Sequence, residues 1–436
     1  MKKQFKQLMK GWGILFALPF MLTSCGGTLD DIIGESSNPT TNPSLSLDKT
    51  ALPMNYGAAD VTLVATVTAS DATVTWSSSD DAVVTVDATG KVHAKKTGTA
   101  TITAKAGTLK ATCDVTVSIG LATPLTFEAE ADGVTIKFND DWDNYVAPNV
   151  QYSTDDGATW KDDLTIAGVT LSSTADKVLF RGSNPEYRSS GYHFTVNANS
   201  KVYGNIMSLV NKDDFATNYD VLTADGTFAE LFLNNAKLTD ASNLILPATT
   251  LSEGCYQSMF YGCTSLTTAP ELPAETMKES CYGLMFHGCK ALTAAPVLPA
   301  KTLAKKCYQS MFEGCTALTT APELPATTLK DENNADANDC YALMFYGCKS
   351  LTTSPILPAA TLVLNCYHHM FFDCTKLASV TCLATNISTT CLTGWLEDAG
   401  TDVTSPKLHI LTTGAPDDAT WNLPSNPTTW QIVRDQ

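Results

Sequence analysis

Basic residues are scarce in this chain: 28 Lys and Arg stand against 45 Asp and Glu in 436 residues, a formal charge of −17. A nucleic acid or an anionic lipid face would repel such a surface, so neither is an expected partner. Catalytic signatures are missing too. There is no nucleophile elbow, no phosphate-cradling glycine loop and no His-Glu-x-x-His run. Chelating Cys-x-x-Cys pairs are lacking, and His93, His193, His287, His368, His369 and His409 are too scattered to converge on one ion. These absences predict a chain with no catalytic residues, no cofactor and no metal. Charged residues make up only 17%, and Ala, Thr and Ser are abundant, which suits extracellular β-rich modules better than a cytosolic enzyme.

What the chain does have is repetition. Cys255-Tyr256-Gln257-Ser258-Met259-Phe260-Tyr261-Gly262-Cys263 returns in altered form at Cys281, Cys307, Cys340 and Cys366, after 26, 26, 33 and 26 residues. Each of the first four copies precedes a Leu-Thr-x-x-Pro-x-Leu-Pro run such as Leu266 to Pro273. A fixed period of this length means a solenoid. One unit cannot bury its Tyr, Met, Phe and Leu alone, whereas a stack shares them. The shared core is expected to comprise Cys255, Met259, Phe260 and Cys263; Cys281, Met285, Phe286 and Cys289; Cys307, Met311, Phe312 and Cys315; Cys340, Met344, Phe345 and Cys348; and Cys366, Met370, Phe371 and Cys374.

Offsets 0, 1, 4, 5 and 8 in Cys281, Tyr282, Met285, Phe286 and Cys289 lie on one face of a short helix, with Gly288 where a left-handed residue would end it. The second element alternates as an extended segment. Its two prolines remove ladder donors, so a short strand passing into polyproline-like chain is predicted. The pattern resembles the BspA-like leucine-rich repeats of bacterial surface proteins, in which Ala-Phe-x-x-Cys-x-x-Leu recurs; here Met-Phe replaces Ala-Phe. That resemblance implies a binding surface without naming its ligand.

In chain order, residues 1–24 have a basic start, an apolar stretch from Ile14 to Leu22 and a small-residue end, as in a signal peptide. The stretch is too short for a spanning helix. Leu22-Thr23-Ser24-Cys25 looks like a bacterial lipobox, which implies lipidation of Cys25 and a membrane held through that lipid. Asp30 and Asp31 are similar to an acidic export tag of Bacteroidetes-type lipoproteins. Without the four Lys of residues 1–24, 24 basic residues remain against 45 acidic ones, a charge of −21. Residues 25–44 read as a flexible tether.

Residues 45–118 alternate apolar and polar in short runs, the pattern of a β-sandwich. Val74-Thr75-Trp76-Ser77, Val83-Val84-Thr85-Val86 and Gly90-Lys91-Val92-His93-Ala94 resemble the group 2 bacterial Ig-like domain, with Trp76 in the core and Cys113 a lone buried thiol. Residues 122–203 suggest a second sandwich. Within it, Ser153 to Trp160 fits the Ser-x-Asp-x-Gly-x-Thr-Trp box of sialidases; a single copy, with no arginine cluster or paired carboxylates, says hairpin rather than hydrolase. Residues 204–226 lead into the repeats at 227–392, and 393–436 form a C-terminal cap. The fold class expected is two all-β sandwiches followed by an α/β leucine-rich-repeat solenoid.

Two Cys eight apart on a helix would lie about 12 Å apart, too far for a disulfide. Equivalent Cys of stacked repeats could approach to about 5 Å, so a cross-repeat staple stays open beside the preferred reading of buried, reduced thiols. The acidic insertion Asp331 to Asp339 fails calcium-loop spacing and reads as a solvated loop. Candidate partner-binding residues are Tyr261, His287, Glu313, Tyr346 and Phe372, the variable position after Met-Phe, with Glu271 and Glu323 on the extended segments. The function expected is adhesion to a host or bacterial surface protein by a lipid-anchored outer-membrane or cell-surface lipoprotein. The alternative is a glycan-binding lipoprotein of a polysaccharide uptake system.

Overall fold

The computed structural model describes residues 42–56, 59–68, 72–95, 97–140, 144–184, 191–388, 390–424 and 430–436. Residues 1–24, Cys25 and most of the tether lie outside the described residues. Among the described residues no helix is long and apolar enough to cross a membrane.

The first module holds β1 (Ser44–Leu47), β2 (Ala51–Asn55), β3 (Val61–Thr62), β4 (Ala65–Thr68), β5 (Thr75–Ser78), β6 (Val84–Val86), β7 (Lys91–Ala94), β8 (Gly98–Ala106) and β9 (Leu109–Ser118). Sheets β2-β9-β8-β5 and β3-β7-β6 enclose a core, and β1 pairs with β4. Period-two alternation sends Ala100 and Ile102 of β8 and Cys113, Val115 and Val117 of β9 inward. Trp76 is half-buried and packs against this cluster. Gly90, at φ +83°, lets the chain pass where a Cβ would lie 2.6 Å from the Leu63 carbonyl and 2.7 Å from the Trp76 ring.

The second module contains β10 (Leu125–Ala129), β11 (Val134–Asn139), β12 (Val150–Ser153), β13 (Val169–Leu171), β14 (Lys177–Gly182), β15 (His193–Val196) and β16 (Ser200–Asn205). Sheet β12-β14-β10-β16 faces sheet β13-β11-β15 through Phe127, Phe180 and Phe194, whose ring centroids lie 5.0–6.0 Å apart. The core does not stop there. β16 pairs in parallel with β17 (Leu238–Asp240) and β18 (Leu244–Ile245), which belong to the first repeat. Phe232 of that repeat stacks 5.9 Å from Phe194. One apolar cluster runs from Leu125 to Trp430.

The α/β leucine-rich-repeat solenoid expected from the repeats does not form. Among the described residues the only helical turns are the 3-10 segments Ile206–Leu209 and Asp418–Trp421. The Cys-Tyr-x-x-Met-Phe runs are chains of tight turns. Gly254, Tyr256, Ser258, Phe260 and Gly262 donate their N–H groups to carbonyls of the following copy, at Glu279, Cys281, Gly283, Met285 and His287. Gln257, Met259, Tyr261 and Cys263, each following one of them, donate to carbonyls three residues back in their own copy. An α-helix would spend every donor on its own fourth-preceding carbonyl.

The turns repeat every four residues, and the register requires a left-handed backbone at each fourth position: Gly254 (φ 59°), Ser258 (φ 56°) and Gly262 (φ 72°). Offsets 0, 1, 4, 5 and 8 therefore satisfy a four-residue turn period as well as a helical face. Gly288 is left-handed as expected, at φ 70°, but continues the turn chain and ends no helix. The extended segments meet mainly through single bridges such as Ala294 to Thr320. Regular parallel strands appear at the far end, where β19 (Thr353–Leu357), β20 (Ser379–Cys382), β21 (Lys407–Ile410) and β22 (Gln431–Arg434) form one sheet. Trp395 closes that end by donating its Nε1 to the Trp421 carbonyl at 2.9 Å.

The ladder forces ordinary side chains into the left-handed region, Lys306 at φ 57° among them. Lys306→Gly is expected to stabilise the protein by up to about 1 kcal/mol, the left-handed penalty less the extra unfolded-state entropy of glycine, measured by denaturant unfolding. A helical register at Lys306 would give the opposite sign.

Candidate interaction surface

Stacking the copies aligns every position of the repeat into a column. Phe232, Phe260, Phe286, Phe312, Phe345 and Phe371 form one, with successive ring centroids 5.2–5.8 Å apart. Phe228, Tyr256, Tyr282, Tyr308, Tyr341 and Tyr367 form another at 5.6–6.1 Å. All five Met of the Met-Phe pairs are fully buried beside them. The hydroxyls of Tyr256, Tyr282 and Tyr308 are buried with no hydrogen-bond partner, and burial pushes these phenols well above their usual pKa.

The thirteen described cysteines are all free and buried. In the second position of each copy the thiol has a defined use: Cys263, Cys289, Cys315, Cys348 and Cys374 donate to the carbonyls of Phe232, Phe260, Phe286, Phe312 and Phe345 at 3.0–3.2 Å. Each of those carbonyls belongs to the preceding copy. Among the described residues no group of three or more His, Cys, Asp or Glu is placed to hold a metal ion. Burial raises Cys263, Cys281, Cys315 and Cys382 to about 12, which suppresses the thiolate. Cys391 is the exception: a hydrogen bond from Cys366 holds it low, at about 6.

The variable position after Met-Phe also becomes a column, half-buried throughout. Tyr261 stacks on His287 at 4.4 Å and 3° between planes, and Tyr346 stacks on Phe372 at 4.7 Å and 4°. Between these pairs, His287 Nδ1 lies 3.6 Å from Glu313 Oε2, an electrostatic contact beyond hydrogen-bond range. Burial alone would raise the Glu313 carboxyl, but His287 and Ser310 outweigh it and hold it below its usual value. The faces of these rings are spent on one another, which leaves edges for a partner. Glu271 and Glu323 lie apart from that column, exposed on the extended segments.

These two acids belong to a row that the alternation of the extended segments already marks as outward at Glu271, Val297, Glu323 and Ile356, and that Ile245 continues into the first copy. Ile245, Glu271, Val297, Glu323 and Ile356 each precede a buried Leu, at 246, 272, 298, 324 and 357. The pleat turns them away from the core: Ile245 is half-buried beside the first module, the other four are exposed, and Val297 and Ile356 are 78% and 57% exposed. In four of the five copies the position is the residue between Pro and Leu, whereas Ile245 follows Leu244. The junction with the first module had no sequence signal, since its partners are far apart along the chain. Tyr56 meets Tyr203 edge to face at 5.1 Å, and Thr97 Oγ1 donates to Asn243 Oδ1 at 2.7 Å. A cleft of about 410 Å³ opens there between Val117 and Ile119 on one side and Ile245, Leu246, Glu271 and Pro273 on the other.

The sialidase-type box is a hairpin: Gly157 N donates to Ser153 Oγ and Thr159 N to Asp155 Oδ1, and the Arg181 guanidinium covers the Trp160 ring at 4.0 Å. Hydrogen bonds from Thr159 and Ser153 hold the Asp155 carboxyl at about 2. In the acidic insertion, Asp331 accepts from the backbone N–H groups of Asn333 and Ala335, while Lys330 pairs with Asp336 and Lys278 with Glu332.

Two outcomes test this packing. Tyr282→Phe deletes a buried hydroxyl that has no partner and is expected to raise stability by about 1 kcal/mol in thermal or denaturant unfolding; a loss of that size would reveal a partner. Thiol labelling of the native protein is expected to leave all thirteen described cysteines unreacted until the protein unfolds. Rapid native labelling of Cys289 or Cys315 would contradict their enclosure.

Comparison with curated proteins returned no match. Among solved structures, domains 5-6 of the S-layer protein SbsC are 18% identical over 36% of this chain and 91% of that one, at a TM-score of 0.17. The S-layer protein rSbsC(31-844) is 17% identical over 41% of this chain and 32% of that one, at 0.15. Likeness at such TM-scores bears on neither fold nor function. Residues 43–117, the module whose Gly90 closes against Trp76, match the family described as the bacterial Ig-like domain, group 2.

Proposed function

We propose that this chain is a non-catalytic cell-surface lipoprotein that uses its repeat stack for protein–protein interaction, held at the membrane by a lipid on Cys25. The observation that carries the reading is the group 2 bacterial Ig-like domain at residues 43–117, docked directly on the body that carries the repeats. An Ig-like spacer on a stack with one continuous core fits a scaffold that displays a long face at a fixed distance from its anchor. The resemblance of the repeats to those of BspA-like surface proteins supports the same role, as does the lipobox-like sequence ending at Cys25.

Two measurements on intact cells test the proposal. Cys25→Ser is expected to move the protein from the membrane fraction to the soluble or secreted fraction and to abolish incorporation of a labelled fatty acid. Cross-linking from photoreactive groups on the outward face of the repeats is expected to trap a discrete protein partner. Unchanged membrane retention would sink the lipid anchor, and an absence of cross-links from the repeats would sink the interaction role.

A further inference from the structure

We infer that the outward row Ile245, Glu271, Val297, Glu323 and Ile356 is a docking face for an amphipathic helix that alternates apolar and basic side chains along one edge. This deepens the interaction role proposed above by naming the chemistry of the partner.

Three observations converge. The row alternates strictly across five coils: apolar, acidic, apolar, acidic, apolar. Val297 and Ile356 are two of the seven large hydrophobic side chains left exposed among the described residues, and both sit in this row. Ion pairs occupy many acids of the stack, including Glu279, Glu332, Asp336 and Asp373, but among the described residues no cation lies within 4 Å of Glu271 or Glu323. A chain with a net charge of −17 also draws a basic partner toward it.

Spacing selects the partner's backbone. Successive coils of the row are 5.2–5.8 Å apart, measured between the stacked rings of Phe232, Phe260, Phe286, Phe312 and Phe345. An α-helix lying along the stack presents one side chain per turn at a pitch of about 5.4 Å, so it stays in step with the coils. An extended strand presents a side chain to one face about every 6.6 Å and drifts out of register. A polyproline helix does so about every 9.3 Å, which matches neither one coil nor two. The matching helix carries apolar residues at i, i+7 and i+14 for Ile245, Val297 and Ile356. Lys or Arg near i+3 or i+4 and near i+10 or i+11 would meet Glu271 and Glu323. The cleft of about 410 Å³ beside Ile245 and Glu271, walled by Val117 and Ile119 of the Ig-like module, receives one end of it.

The test uses the full chain and a synthetic peptide of about 18 residues in that pattern, with a composition-matched scramble and a version carrying Glu in place of the basic residues. In fluorescence anisotropy at low salt, the patterned peptide is expected to bind and the other two to fail. The double variant Glu271→Lys, Glu323→Lys is expected to weaken binding about tenfold or more and to gain affinity for the acidic peptide, a swap that misfolding cannot produce. Val297→Asp is expected to abolish binding with the native unfolding transition retained. Equal binding of the scramble, or an affinity unmoved by the double reversal, overturns the helix assignment. Cross-linked partners on cells that survive both changes would keep the broader role and reject this face; no partner on any face would reject both.

Discussion

Every second backbone N–H from Gly254 to Gly262 leaves its own turn and bonds to the next coil, and the rest of the stack follows from that division of donors. Half the hydrogen bonds hold a turn together and half hold neighbours together, so no coil is complete alone. The alternation can be kept only if the chain reverses its twist every fourth residue. Gly takes that place at 262, 288, 314 and 347, while Ser258, Leu284, Lys306 and Leu343 are made to take it elsewhere. The strain is tolerated because bonds to both neighbours over-determine the conformation.

Identical coils in register put like side chains over like. Stacked Phe and Tyr rings, columns of Met and rows of thiols are consequences of that register. Cysteine suits its second position for a physical reason: a small apolar side chain fits the gap, and its weak S–H reaches the second lone pair of the preceding coil's Phe carbonyl. A stack also has ends that must be closed. The second sandwich closes one, through β16 and Phe194, and the indoles of Trp395, Trp421 and Trp430 close the other. With the Ig-like module set against this body at Tyr56 and Thr97, the exposed row across the coils lies at a fixed place relative to that module.

Much of this was legible. The recurrence of Cys, Met and Phe marked the shared core residue by residue, and the alternation across residues 45–118 marked a sandwich. The misreading was the helix. Four-residue turn periodicity and the 3.6-residue helix period place the same five residues on one face over nine residues, and the glycine that ends a helix is also the one a left-handed turn needs. Only a Leu or Lys at the homologous fourth position, as at Leu284 and Lys306, hinted at strain that a helix would not impose. The column at Tyr261, His287 and Glu313 was visible as a position but not as an object, because rings that pack on one another and rings that wait for a partner look alike in sequence.

The amino-acid sequence by itself determined which residues are interior, how often the unit recurs and that an Ig-like module precedes the repeats, because hydrophobic periodicity and family pattern are local and linear. Where each backbone donor goes, which carbonyl each thiol meets, and how Tyr56, Thr97 and Asn243 seat the first module were decided only by the tertiary structure. Those choices depend on partners roughly 25 to 150 residues away, and hydrogen-bond direction leaves no mark on composition.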